Sequence, residues 1–210
     1  MDTVTLSKQN RLFWLGRYAE RVYTTTQYMM KQYDRLIDGE TVDYETFCQK
    51  MGIPCAYDSG DDFCRRYLFD STSPYSVQSG VEAMLGNGMV LRETITSPTL
   101  AYLQMAHTAM ELAAHSEAPG VELQWVLDDI MAFRGSCYEY VADEATRNII
   151  KCGVSVERLD RELQKLMNRL YKTDLTPEKD ALDVITRRAV GGEDIDRVLL
   201  LNSVEGLFRV

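Results

Sequence analysis

Apolar residues along this chain recur at spacings of three and four, and no run shows sustained alternation at a spacing of two. That is the period of an α-helix rather than a strand, and it predicts an all-α bundle in a single domain over residues 1–210. The first helix is expected from a Ser7 cap to about Asp38, with Gly39 ending it. Shorter helices are predicted at Asp43–Met51 and Gly60–Phe69, on either side of the Gly52-Ile53-Pro54 break. Asp70-Ser71-Thr72-Ser73-Pro74 reads as a capped start with Pro74 at the first helical position, opening a helix that runs through Ile95. Ser97-Pro98 starts the next, through Ala114, and Pro119-Gly120 closes it. Leu123–Val141 follows, and a helix ending near Lys172 either continues it or comes directly after. Two last helices are expected at Ala181–Val190 and Asp194–Phe208.

One pattern is used twice. Arg11 to Tyr33 aligns without a gap on Asn148 to Leu170 at an offset of 137 residues. Gly16, Glu20, Arg21, Gln27 and Met30 recur as Gly153, Glu157, Arg158, Gln164 and Met167. The row Leu12, Leu15, Ala19, Val22, Thr26, Met29, Tyr33 recurs as Ile149, Cys152, Val156, Leu159, Leu163, Leu166, Leu170. This predicts an internal pseudo-two-fold repeat of a central helix carrying Gly-x-x-x-Glu-Arg. Phe13, Tyr23 and Met30 lie opposite the apolar row of the first helix, so that helix is expected to be covered on both sides.

Burial on both sides would enclose Glu20, and an enclosed carboxylate must find cations or hydrogen-bond donors. Arg17 and Arg21 flank it in sequence, and Arg158 or Arg92 can reach it from another helix. A glycine in a helix interior costs about 1 kcal/mol relative to alanine, a cost best explained by close approach. The two helices are therefore expected to cross near Gly16 and Gly153, gathering two carboxylates and several guanidinium groups. Glu-Arg pairs on helices are most often solvated, and buried ones are more often structural than catalytic. Both readings stay open on spacing alone.

Composition narrows the chemistry. A net charge of −9 and basic residues scattered among acids argue against nucleic acid as a partner. Five cysteines without a C-x-x-C pair suit a reducing cytoplasm better than a disulfide framework, and Cys137 and Cys152 read as small apolar helix residues. The polar start of the chain has no export signal, and no apolar run approaches a membrane span, so a cytoplasmic, non-membrane protein is expected. Zinc spacing and the Glu-x-x-His of di-metal bundles are absent from the sequence. His107, Glu111 and His115 can share a helix face, but such histidines are usually only packed or exposed. Gly86-Asn87-Gly88 lacks the Lys-Ser/Thr of a P-loop and reads as a weak point or a tight packing site within a helix. No cysteine shows a Cys/His constellation for nucleophilic catalysis, and no cofactor or metal is expected.

Leu12-Phe13-Trp14-Leu15-Gly16-Arg17-Tyr18-Ala19-Glu20-Arg21 resembles the opening signature of the bacterial alpha-E family, whose members carry a Leu-Gly-Arg-Tyr-x-Glu-Arg motif twice. Ser73-Pro74-Tyr75-Ser76-Val77 resembles that family's Asn-Pro-Ser-Ser-Ile helix start, and Asn87 with Val90 to Ile95 resembles its Glu-Asn-Ala-Arg-x-Val-Arg-Glu segment. The second signature is Gly153 to Arg158. Leu85, Gly86, Met89 and Val154 stand where the family pattern is polar.

The resemblance implies an all-helical domain and an association with ATP-grasp and transglutaminase-like proteins. The leading expectation is thus a non-catalytic partner or accessory protein of an ATP-grasp peptide or amide ligase system. One alternative is an enzyme, with Glu20 and Glu157 as acid and base and Arg17, Arg21, Asn87, Arg92, Glu93 and Arg158 binding an anionic, peptide-like substrate. Another is a homo-oligomeric interaction scaffold. The enzyme reading requires that water reach the glutamates.

Overall fold

The computed structural model describes residues 6–170, all of them in helices or short connections, with no strand among them. The helices are α1 (Leu6–Ile37), α2 (Tyr44–Met51), α3 (Gly60–Phe69), α4 (Val77–Val90), α5 (Arg92–Ile95), α6 (Ser97–His115), α7 (Gly120–Tyr140) and α8 (Glu144–Leu170). The helices expected at Ala181–Val190 and Asp194–Phe208 lie outside the described residues.

The centre of the bundle is α1. It packs most extensively on α8, and also on α4, α7 and α3, while α6 and α7 form a second close pair. Its apolar row is buried from Leu12 through Leu15, Ala19, Val22, Thr26 and Met29, as the spacing predicts. Met84 of α4, Leu103 and Met110 of α6, and Leu123, Ile130 and Phe133 of α7 belong with it to one continuous core. The short helices α2 and α3 are held by rings, with Tyr28 of α1 stacked on Phe47 of α2 at 4.9 Å and Phe47 against Phe63 of α3 at 5.2 Å.

Helix boundaries follow local chemistry; three differ from the pattern-based expectation, and one that the pattern left open is resolved. Ser7 is inside α1 rather than its cap. Pro74 precedes α4 by three residues, because Ser73 to Ser76 forms a turn in which the Ser76 amide donates to the Ser73 carbonyl (3.2 Å). Proline suits the second position of such a turn, and Ser76, in extended backbone, then caps α4 by accepting from the Ser79 amide at 3.0 Å. The helix expected to reach Ile95 breaks at Leu91, whose amide is shared between the Asn87 and Gly88 carbonyls, both at 3.1 Å. Finally, α7 and α8 are separate: Asp143 accepts from the amide (2.9 Å) and hydroxyl (2.6 Å) of Thr146 and so starts a new helix. At the other end of α1, Gly39 takes φ +75°, the left-handed conformation that closes the helix. Gly88 is indeed a packing site, since a Cβ there would collide with the Leu103 side chain of α6.

Candidate functional site

The crossing of α1 and α8 is built on two glycines. A Cβ on Gly16 would run into the carbonyl oxygen of Ile150 and lie 3.1 Å from the amide nitrogen of Val154. A Cβ on Gly153 would run into the carbonyl oxygen of Phe13 and lie 3.0 Å from the amide nitrogen of Arg17. Ile150 and Val154 follow Phe13 and Arg17 by the same 137 residues that separate the glycines. The contact is therefore reciprocal, backbone against backbone, and it explains why a helix interior carries a residue that lowers helix stability.

One turn beyond each glycine stands a glutamate. Glu20 is 2% exposed and Glu157 6%. Glu157 accepts from Arg17 Nε at 2.7 Å and from Arg21 through Nε at 2.7 Å and Nη2 at 3.1 Å. Glu20 accepts from Arg158 Nη2 at 3.2 Å and from Arg134 Nη2 at 2.6 Å, and Arg158 Nε lies 3.1 Å from its other carboxylate oxygen. Arg21 and Arg158 thus each hold the carboxylate of the opposite helix in a two-pronged grip, the geometry in which guanidinium and carboxylate pair most strongly.

This arrangement extends the sequence reading in two respects. Arg17 and Arg21, offered there as neighbours of Glu20 in sequence, both reach across the crossing to Glu157, because side chains at a helix crossing meet across the interface. Arg134 was not anticipated at all. It comes from α7, where it follows the buried Phe133, and it also donates to the Ala19 carbonyl at 3.4 Å. A signal for it existed. Val154 stands where Arg17 stands in the first copy, so Glu20 needs a second cation from elsewhere.

The remaining predicted site residues lie outside the cluster. Arg92 and Glu93 sit on α5 and pair with each other at 3.0 Å, their side chains 66% and 84% exposed. A solvated pair of sequence neighbours places neither group on the buried carboxylates. Asn87 accepts from Arg11 at 3.4 Å and donates to the Ala83 carbonyl at 3.1 Å, on the wall of a shallow polar groove with Trp14 and Tyr18. Cys152, expected in the apolar row of α8, is exposed, and the buried positions among the described side chains there are Thr146, Ile150, Gly153 and Glu157.

Aromatic faces back three of the four guanidinium groups. Arg17 lies over Trp14 at 5.1 Å, Arg21 over Tyr18 at 5.8 Å and Arg134 over Tyr23 at 4.6 Å. The electrostatic balance at Glu157 is a contest. Burial pushes its carboxyl up, but the hydrogen bonds and charges of Arg21 and then Arg17 outweigh burial and hold it below its ordinary value. It is a carboxylate fixed in its ionised form, and a poor proton acceptor. Elsewhere, burial raises the thiols of Cys64 to about 11 and Cys137 to about 12, which makes both weak nucleophiles at neutral pH. Among the described residues no group of three His, Cys, Asp or Glu side chains is placed to hold a metal. No described helix is long and apolar enough to cross a membrane.

The family model for Alpha-E, described as a predicted alpha-helical domain with a conserved ER motif, matches residues 8–208. This chain belongs to the Alpha-E family. No curated protein and no solved structure matches it. In this Alpha-E domain the Glu-Arg dipeptides Glu20-Arg21 and Glu157-Arg158 are the ones exchanged across the α1–α8 crossing. Each glutamate is clasped by the arginine of the other dipeptide, and each receives one further guanidinium, from Arg17 or from Arg134.

Proposed function

We propose that this Alpha-E protein is a non-catalytic partner or accessory subunit of an ATP-grasp peptide or amide ligase system, and that its Glu-Arg cluster is a structural clasp. One observation carries the reading. Both glutamates are enclosed and each accepts from two guanidinium groups, so neither is presented to a substrate. General acid-base catalysis needs a carboxyl group within hydrogen-bond reach of the proton it moves, with a pKa near the working pH. Glu157 departs in the opposite direction. The choice of partner rests on the family's association with ATP-grasp and transglutaminase-like proteins, and the cytoplasmic setting belongs to the same reading.

Co-purification tests it. The tagged full-length chain is expected to retain an ATP-grasp or transglutaminase-like protein encoded beside it. Glu20→Gln and Glu157→Gln variants that remain folded are expected to retain it equally. Capture of neither kind of protein would sink the proposal, as would loss of a ligase reaction in a folded, partner-bound Glu20→Gln complex.

A further inference from the structure

Away from the clasp, α6 and α7 present a groove of about 510 Å³ on their outer side. On α6 its floor is the row Ala101, Met105, Thr108, Leu112, spaced by four, three and four. That row runs about three helical turns, or roughly 16 Å. Trp125 of α7 forms the facing wall, with Asp128 and Asp129 beside it. Met105 and Leu112 are each 51% exposed and Trp125 is 47% exposed. These side chains are not needed to close the core, because the same helices bury Leu103, Ala106, Met110, Val126 and Ile130 on their inner faces.

Scattered exposed apolar residues are unremarkable, but three large ones in a single groove mark an interaction surface. Methionine and tryptophan are typical of such surfaces, the first adaptable and the second a large anchor. The electrostatics select the occupant. Among the described residues no lysine, arginine or histidine lines the groove, two adjacent aspartates edge it, and the whole chain carries −9. Asp128 accepts from Gln124 of its own helix at 2.8 Å. Burial raises the Asp129 carboxyl above its ordinary value and the charge of Asp128 raises it further, a situation that a nearby cation relieves. A second copy of the chain would bring the same aspartates against themselves.

We infer that the α6–α7 groove binds an amphipathic, basic helix of a partner protein, its apolar side on Met105, Leu112 and Trp125 and its lysines or arginines at Asp128 and Asp129. This rests on the partner-protein reading above and names the surface and the partner's chemistry. An apolar helix face laid in a groove is a recurring mode of recognition.

The test uses the full chain and a fluorescein-labelled synthetic peptide of leucine and lysine at helical spacing, about four turns long, followed by anisotropy. A second peptide carries glutamate for lysine. The lysine peptide is expected to bind, and the glutamate peptide at least about tenfold more weakly. Trp125→Ala, Met105→Ala and the Asp128→Asn, Asp129→Asn pair are each expected to weaken binding of the lysine peptide about tenfold while leaving the circular dichroism spectrum unchanged. Equal binding by wild type and all three variants would show mere attraction to an acidic chain and overturn the inference, as would no binding.

Trp125 shielded from acrylamide in the free protein would mean that the chain covers its own groove. Shielding that grows with protein concentration would mean a second copy does. Either result overturns the inference. The ligase co-purification separates the two proposals: a partner retained equally by wild type and Trp125→Ala removes the groove and leaves the function. If no partner is retained by either, the function fails and the peptide titration alone decides the groove.

Discussion

Glu157 and Glu20 hold equivalent places on α8 and α1, yet their cations are recruited differently. Among the described residues Glu157 is served by α1, through Arg17 and Arg21. Glu20 draws Arg158 from α8 and Arg134 from α7. Arg17 is 17% exposed and Arg134 24%, so the two supplementary guanidinium groups have similar surroundings although they reach their carboxylates from different helices. The difference teaches that the requirement is for a second guanidinium at each carboxylate, not for a particular motif. Where Val154 supplies none, a third helix is tied into the crossing, and α7 thereby gains a polar attachment to α1 in addition to its apolar packing.

Removing either carboxylate takes away the group that both cations of its half share and should have the largest effect. Glu20→Ala leaves Arg134, and Glu157→Ala leaves Arg17, largely buried without that carboxylate, and a loss of about 3–5 kcal/mol is expected in urea unfolding. Next comes the crossing itself. Gly153→Ala forces a methyl group against the Phe13 carbonyl, backbone that no side-chain rotation relieves. It should cost about 3 kcal/mol, measured the same way. An alanine tolerated at both Gly16 and Gly153 would break the account of the crossing.

The two halves separate under smaller changes. Arg134→Met affects the Glu20 half alone and should cost about 2 kcal/mol, the scale of hydrogen bonds to a charged group. Adding Val154→Arg should restore about 1 kcal/mol of that loss, because it returns a guanidinium to the position equivalent to Arg17. A Val154→Arg change that destabilises the Arg134→Met protein further would contradict the equivalence of the halves.

Acid is the gentlest probe. Glu157 has a depressed pKa in the folded chain, so the unfolded chain binds more protons as pH falls through the ordinary carboxylate range. Its contribution is complete above that range and is lost as pH drops through the folded value. Between pH 7 and pH 3, wild type should therefore lose more unfolding free energy than Glu157→Gln, which lacks the titrating group.

Much of this was legible in the sequence, for physical reasons that can be named. The row from Leu12 to Met29 is helical in period and is buried as a row. The expense of Gly16 and Gly153 in helix interiors announced a close crossing, and the crossing is there. Pairing was not legible, because an arginine one residue from a glutamate in sequence points elsewhere on a helix, and only the interface decides whose carboxylate it meets. Arg134 carries no motif and became visible only through the vacancy at Val154. The break before α8 was written in Asp143 and Thr146, a capping pair that the apolar period alone passes over. Arg92 resembled a site residue by family pattern, but its place on the short exposed helix α5 took it away from the glutamates.

The central claim, that the Glu-Arg cluster is a structural clasp, is tested most directly by a double-mutant cycle on Arg17 and Glu157, whose atoms meet at 2.7 Å. Unfolding free energies of wild type, Arg17→Met, Glu157→Gln and the double variant yield the coupling between them. A coupling of about 2 kcal/mol is expected for a buried, charge-assisted pair. A value within a few tenths of a kcal/mol of zero would contradict it.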